Sequence, residues 1–292
     1  MRIRFPALFV FLIVYCSNLM AGEKQWYFEL IPETTYGTFT HSDTLESSAS
    51  NTITATLSYL DHTHIFIKAR NNTLTLTDNS LSKQNNLSLG FSKFSYVDAI
   101  LGITTFSLFT THVSGNDVSD VTVTAPSVGY TNYKGTISLD FNYAYSSYKR
   151  TGGASGNTKL AVQQYTTKIG FKPIISNTWI SLKNDTISFQ KDTNHSQTIA
   201  FYWYPKSYSQ LVPNSFLVST LLNKRRYAVE HDTLLLYNVD DEQVSSYSFT
   251  TTWNVSDNWY LSGTIGTENY HTIDTLKLYS YNYLNINILV NW

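Results

Sequence analysis

The chain has little cysteine, little charge and few long apolar runs, and each shortage removes a class of protein. Its single cysteine, Cys16, lies in the first segment. The rest of the chain therefore forms no disulfide and offers no thiolate for catalysis or metal binding. Charged side chains are only 14% of the 292 residues, 20 basic against 21 acidic, for a formal net charge of −1. That excludes the strongly basic surface on which nucleic-acid binding depends. After residue 22 no run is long and apolar enough to span a bilayer as a helix, and no helical period persists. What remains is rich in rings and hydroxyls: Tyr, Phe and Trp make up 15%, with 22 tyrosines. The secreted chain is expected to be all-β.

The one apolar run is N-terminal. Arg2 and Arg4 precede an apolar stretch from Ala7 to Tyr15, and Ala21 and Gly22 supply small residues for cleavage. This is the pattern of a secretory signal over 1–21, with a mature chain of 22–292. The stretch is too short for a membrane anchor, and Tyr15 before Cys16 is wrong for lipid attachment. Losing Arg2 and Arg4 takes the formal charge to about −3.

Period-two alternation then marks about fourteen strands, with twelve or sixteen left open because the pattern lapses at Lys183 to Asp185 and is vague in the first strand. In Asn51 to Leu60, Ile53, Ala55, Leu57 and Tyr59 share one face and Thr52, Thr54, Thr56 and Ser58 the other. Ile137 to Tyr145 is equally clear. The eleventh strand is expected to be long, from Ser215 to about Val229. Tight turns are expected at one end of the strands and longer loops at the other, with no long loop folding inward. A soluble sandwich or propeller is the competing arrangement.

The final stretch decides between them. Leu284, Ile286, Ile288, Val290 and Trp292 fall on one face, with Tyr283, Asn285, Asn287 and Asn291 on the other. This resembles the closing strand of Gram-negative outer-membrane β-barrel proteins, which carries an assembly signal ending in Phe or Trp. Asn285, Val290 and Trp292 match that signal, and Asn287 stands where glycine is usual. The resemblance implies a closed antiparallel transmembrane β-barrel in the bacterial outer membrane. It also implies outer-membrane lipid and lipopolysaccharide as surroundings, and the barrel assembly machinery as a partner in biogenesis.

Alternation assigns Ser138, Asp140, Asn142, Ser246, Ser248, Thr250 and Thr252 to the lumen. This mainly neutral, hydroxyl-bearing wall suits a passive channel for small polar solutes. Two other readings compete: a lipid acyl hydrolase using His112 and Ser114, two apart on one strand face, and a non-conducting structural or adhesive barrel. Lys224, Arg225 and Arg226 form the one basic cluster, a candidate contact for lipopolysaccharide phosphates or another anion, against the alternative of ordinary rim charge. No metal or cofactor is expected. His62 and His64 lack a third ligand, and Asp240, Asp241 and Glu242 lack the spacing of a calcium loop.

Overall fold

The computed structural model describes residues 26–292 apart from 61, 99–101, 117–119, 151–157, 175–176, 207–211, 234, 237–240 and 274. The secretory segment, the glycine-bearing loop at 151–157, and Asp117 and Asp240 lie outside the described residues.

Fourteen strands close into one antiparallel barrel. In chain order they begin with β1 (Trp26–Thr40), β2 (Leu45–Tyr59), β3 (Thr63–Leu76), β4 (Leu81–Asp98), β5 (Gly102–Gly115), β6 (Asp120–Thr131) and β7 (Ile137–Arg150). There follow β8 (Thr158–Phe171), β9 (Thr178–Phe189), β10 (Asp192–Trp203) and β11 (Ser215–Leu222). Two short strands, β12 (Val229–Glu230) and β13 (Leu235–Leu236), then pair only with each other. The wall resumes with β14 (Glu242–Ser256), β15 (Trp259–His271) and β16 (Leu278–Asn291). β16 pairs with β1 from Leu30↔Val290 to Thr40↔Ser280, which leaves the wall without an edge.

Alternation fixes the two faces. Leu284 and Ile286 of β16, Leu87 and Leu89 of β4 and Phe106 of β5 point outward and are exposed. Such an apolar exterior would be a liability in water and is required in lipid. The opposite face of β2 turns Thr52 inward, where it is buried. Aromatic rings gather at the end where β1 starts and β16 finishes, the inner end. Trp26 packs on Tyr59 at 4.7 Å, Phe28 on Trp292 at 5.5 Å and Trp203 on Phe216 at 5.2 Å between ring centres. This is the girdle expected at a membrane interface.

The two prolines within strands leave their marks. The β1–β16 ladder skips from Leu30↔Val290 to Glu33↔Asn287 around Pro32. The β6–β7 ladder skips from Thr124↔Tyr145 to Ser127↔Asn142 around Pro126. Without an N–H, proline makes no ladder bond there, but the register continues on either side.

Three sequence expectations need correction. β11 ends at Leu222, not near Val229, and the described residues that follow it, from Tyr227 to Thr233, lie inside the lumen, so a long loop does fold inward. Asn223 and Tyr227 adopt positive φ (65° and 57°) where the chain leaves the wall. Nor do turn lengths sort cleanly by end. β9 and β10 are joined at the outer end by Gln190 and Lys191 alone, whereas eleven residues separate Trp203 of β10 from Ser215 of β11 at the inner end.

Candidate functional site

The inward segment is anchored by residues that the strand pattern already aims at the lumen. On β5 to β9 the outer half of the inner face is apolar: Phe109, Val113, Val121, Val123, Ala125, Ala144, Val162, Ile187 and Phe189 are all buried. Against them sit Tyr227, Ala228 and Val229 of the segment. Tyr227 meets the rings of Tyr148 at 5.1 Å and Phe189 at 5.2 Å, and the Arg226 guanidinium lies 4.8 Å from the Tyr227 ring centre. This side of the lumen is therefore a dry core rather than a wetted wall.

Polar contacts fix the segment's register. Gln164 of β8 treats Val229 as a strand neighbour. Its Nε2 donates to the Val229 carbonyl at 2.9 Å, and its Oε1 accepts the Val229 N–H at 2.8 Å. Glu230 accepts from Lys183 Nζ at 2.5 Å and from Arg225 Nη1. Burial alone would raise the Glu230 carboxyl. The two cations outweigh it and hold the group well below the usual carboxylate range. Arg225 also bridges to β14: its backbone exchanges two 2.9 Å bonds with Gln243, and its Nε donates to Gln243 Oε1 at 2.6 Å. Asp185 accepts from Thr166 at 2.6 Å and from Gln164 at 3.2 Å, and lies 3.6 Å from Lys183. A buried charge is tolerated when paired this fully.

The tip reaches mid-lumen. His231 Nε2 contacts the Tyr143 carbonyl at 3.3 Å and its ring packs edge-on to Phe109. Burial lowers its basicity, so this imidazole is neutral at physiological pH. Asp232 pairs with Lys168 at 2.6 Å. Lys68 Nζ, from the opposite arc on β3, donates to the Thr233 carbonyl at 2.5 Å.

Two chambers lie on either side of this tip. The outer one, about 440 Å³, is lined by the outer parts of β1 to β4, by β15 and β16, and by Thr233 and Leu236. The inner one, about 550 Å³, is lined by β1 to β7 together with His231, Asp232 and Thr233. Glu33, Lys68, Thr233 and Asn287 line both, so the chambers adjoin at the tip. One wall of the outer chamber is a strip of rings. Tyr270 stacks on Tyr279 at 5.3 Å, Phe39 on Tyr281 at 4.7 Å and Tyr281 on Tyr283 at 5.6 Å. Gly37 and Gly266 make room for it: a Cβ there would fall 2.4 Å from the Tyr281 ring and 2.5 Å from the Tyr283 ring.

Of the lumen residues expected from sequence, Asp140 and Asn142 line the inner chamber. Ser248 pairs with inward Ser219 at 2.7 Å and Thr250 with Thr264 at 2.8 Å. Thr252 pairs with Ser262 at 3.2 Å, and Ser138 and Ser246 share these inward alternations. The wall is not mainly neutral as expected, because Lys68, Arg70, Glu33 and Glu268 also face the outer chamber. Asn285 lines that chamber and donates to Thr35 at 2.8 Å. On the outward face, Val290 is buried and Trp292 is half exposed.

The basic cluster divides. Lys224 is exposed and pairs with Glu242 at 2.8 Å. Arg225 is only 4% exposed and is taken up by Glu230 and Gln243, whereas Arg226 is half-buried with its guanidinium over the Tyr227 ring. Residue-type reasoning placed all three at the rim; the partner Glu230, five residues on, is what draws Arg225 inward. His112 and Ser114 lie on the outer half of β5 on one outward face, but His112 Nδ1 contacts Thr122 Oγ1 at 3.3 Å. No carboxylate bonds that ring among the described residues. His64 is taken up by Ser58 at 2.7 Å, and no cluster of metal-ligating side chains occurs among the described residues.

No family model matches the chain, and no curated relative does. Solved structures do. The chain is similar to the CymD monoaromatic hydrocarbon channel, with TM-score 0.56 and 8% identity over 96% of this chain and 92% of that one. It is likewise similar to the Pseudomonas putida toluene transporter TodX, with TM-score 0.55 and 9% identity over 94% and 91%. The shared feature is the fold, a closed barrel of the outer-membrane type.

Proposed function

We propose that this chain is a passive outer-membrane channel for small polar solutes, conducting from the outer to the inner chamber past Lys68 and Thr233. The observation that carries this reading is the pair of adjoining chambers sharing Glu33, Lys68, Thr233 and Asn287. Transport through similar barrels supports it. The cargo differs from the hydrocarbons named for those proteins, because this lumen presents hydroxyls, amides and paired charges. The tip at His231 to Thr233 acts as the constriction, and the inner end faces the periplasm. Val290 and Trp292 on the outward face of β16 serve the assembly machinery, and Lys224 and Arg226 are the residues of the basic cluster best placed to meet lipopolysaccharide.

The test is single-channel recording of the mature protein refolded into a planar bilayer. Discrete steps proportional to salt concentration are the expected result. Silence from a demonstrably folded barrel would overturn the channel reading.

A further inference from the structure

The outer chamber is built unevenly, and the unevenness points to a ligand class. β16 contributes Tyr279, Tyr281 and Tyr283 at alternate positions, and Asn285 and Asn287 continue the same line inward. At about 3.3 Å per residue the three tyrosines extend over roughly 13 Å. Their rings are held: Tyr279 donates to Asp241 at 2.8 Å, and Tyr281 bonds with Ser48. Facing the same space, β3 contributes Lys68, Arg70 and Asn72, again at alternate positions. Arg70 Nε is buried with no hydrogen-bond partner among the described residues.

A chamber with a row of near-parallel aromatic rings on one wall and a ladder of donors and acceptors on another suits a ligand with two unlike sides. A hydrocarbon would leave Arg70 Nε unpaired and would desolvate Lys68 and Asn72 with no new partner for either. A simple anion would use Lys68 and Arg70 but not the rings, and would meet Glu33 and Glu268 in the same chamber. A sugar ring satisfies both walls, its C–H face against an aromatic face and its hydroxyls on the amides and charges. About 440 Å³ is within the range of sites that enclose a small molecule. We infer that the outer chamber is a binding site for neutral saccharides of one or two rings, with Tyr281 and Tyr283 as the stacking platform and Arg70 and Asn72 as hydroxyl partners. This rests on the channel reading only for its role in transport; the site itself is a separate claim.

Two measurements on the same refolded protein separate them. Conductance is recorded as above. Binding is measured by calorimetric titration in a detergent without a sugar headgroup, using maltose and glucose, with sorbitol as the open-chain polyol and toluene as the apolar ring. Saturable binding of maltose, with sorbitol and toluene much weaker, is the expected result. Tyr281→Ala should weaken maltose about tenfold, the loss of one stacked ring. Arg70→Met should weaken it severalfold while preserving any toluene signal. Conductance without saccharide binding would overturn this inference alone, and binding without conductance would overturn the channel alone. Toluene binding tighter than maltose would overturn it in favour of apolar cargo.

Discussion

At the scale of single residues, Glu230 decides where the inward segment rests. It is the anion between Lys183 and Arg225, and neither cation has comparable solvent access to fall back on. Glu230→Gln keeps the shape and removes the charge, and leaving buried cations short of a partner costs about 3 kcal/mol. Asp185, 3.6 Å from Lys183, offsets part of that. The expected outcome is faster hydrogen exchange at the Val229 amide, on the order of a hundredfold, with little change in the wall strands. The pH dependence follows from the depressed carboxyl. Its stabilisation is complete above the ordinary carboxylate range and is lost only as pH falls through the lower folded value. His231 works in the same direction: burial favours its neutral form, so the seated tip loses stability as pH falls through the ordinary imidazole range. Conductance should therefore be flat from pH 8 down to about 7, drift as the imidazole range is crossed and change most in strong acid.

At the scale of elements, the wall was readable and the segment was not. Fourteen strands, their alternation and the closing role of β16 follow from period-two patterning, because lipid demands an unbroken apolar exterior on every strand. The inward segment carries no such period. Tyr227, Ala228 and Val229 are apolar and follow β11 directly, so they read as more strand. Two signals pointed elsewhere. Val121, Val123 and Ala125 put an apolar stripe on the inner face of β6, which needs cover. Lys183 and Asp185 looked like a lapse in alternation but are lumen-facing partners of the segment. Because β11 and β14 pair directly from Ser215↔Thr252 to Leu221↔Ser246, the wall does not depend on the segment. Replacing residues 226–233 with a short Gly/Ser linker should leave a folded barrel whose conductance rises severalfold in bilayer recordings. At the seam, Trp292 packs on Phe28 and donates its N–H to the Phe28 carbonyl at 3.0 Å. Trp292→Ala should lower stability by about 1 kcal/mol in urea unfolding from vesicles, and the loss should largely vanish in a Phe28→Ala background.

At the scale of the whole molecule, the electrostatics of the path set what passes. Charges facing the lumen come largely as opposed partners: Lys183 with Glu230 and Asp185, Lys168 with Asp232, and Arg225 with Glu230. Paired charges present weak fields to a passing ion, so the wild-type pore should discriminate little between cations and anions. The junction between the chambers is the sensitive point, because Lys68 there has a carbonyl rather than a carboxylate as its closest partner, while Glu33 lines both chambers beside it. Lys68→Gln keeps a donor for the Thr233 carbonyl and removes the positive charge from the lining that the two chambers share. Glu33 then dominates, and the reversal potential in a salt gradient should move toward the cation limit, by roughly threefold in permeability ratio. An unchanged reversal potential would mean that ions do not pass beside the Lys68–Thr233 contact, and the conducting path would have to be sought along another part of the lumen.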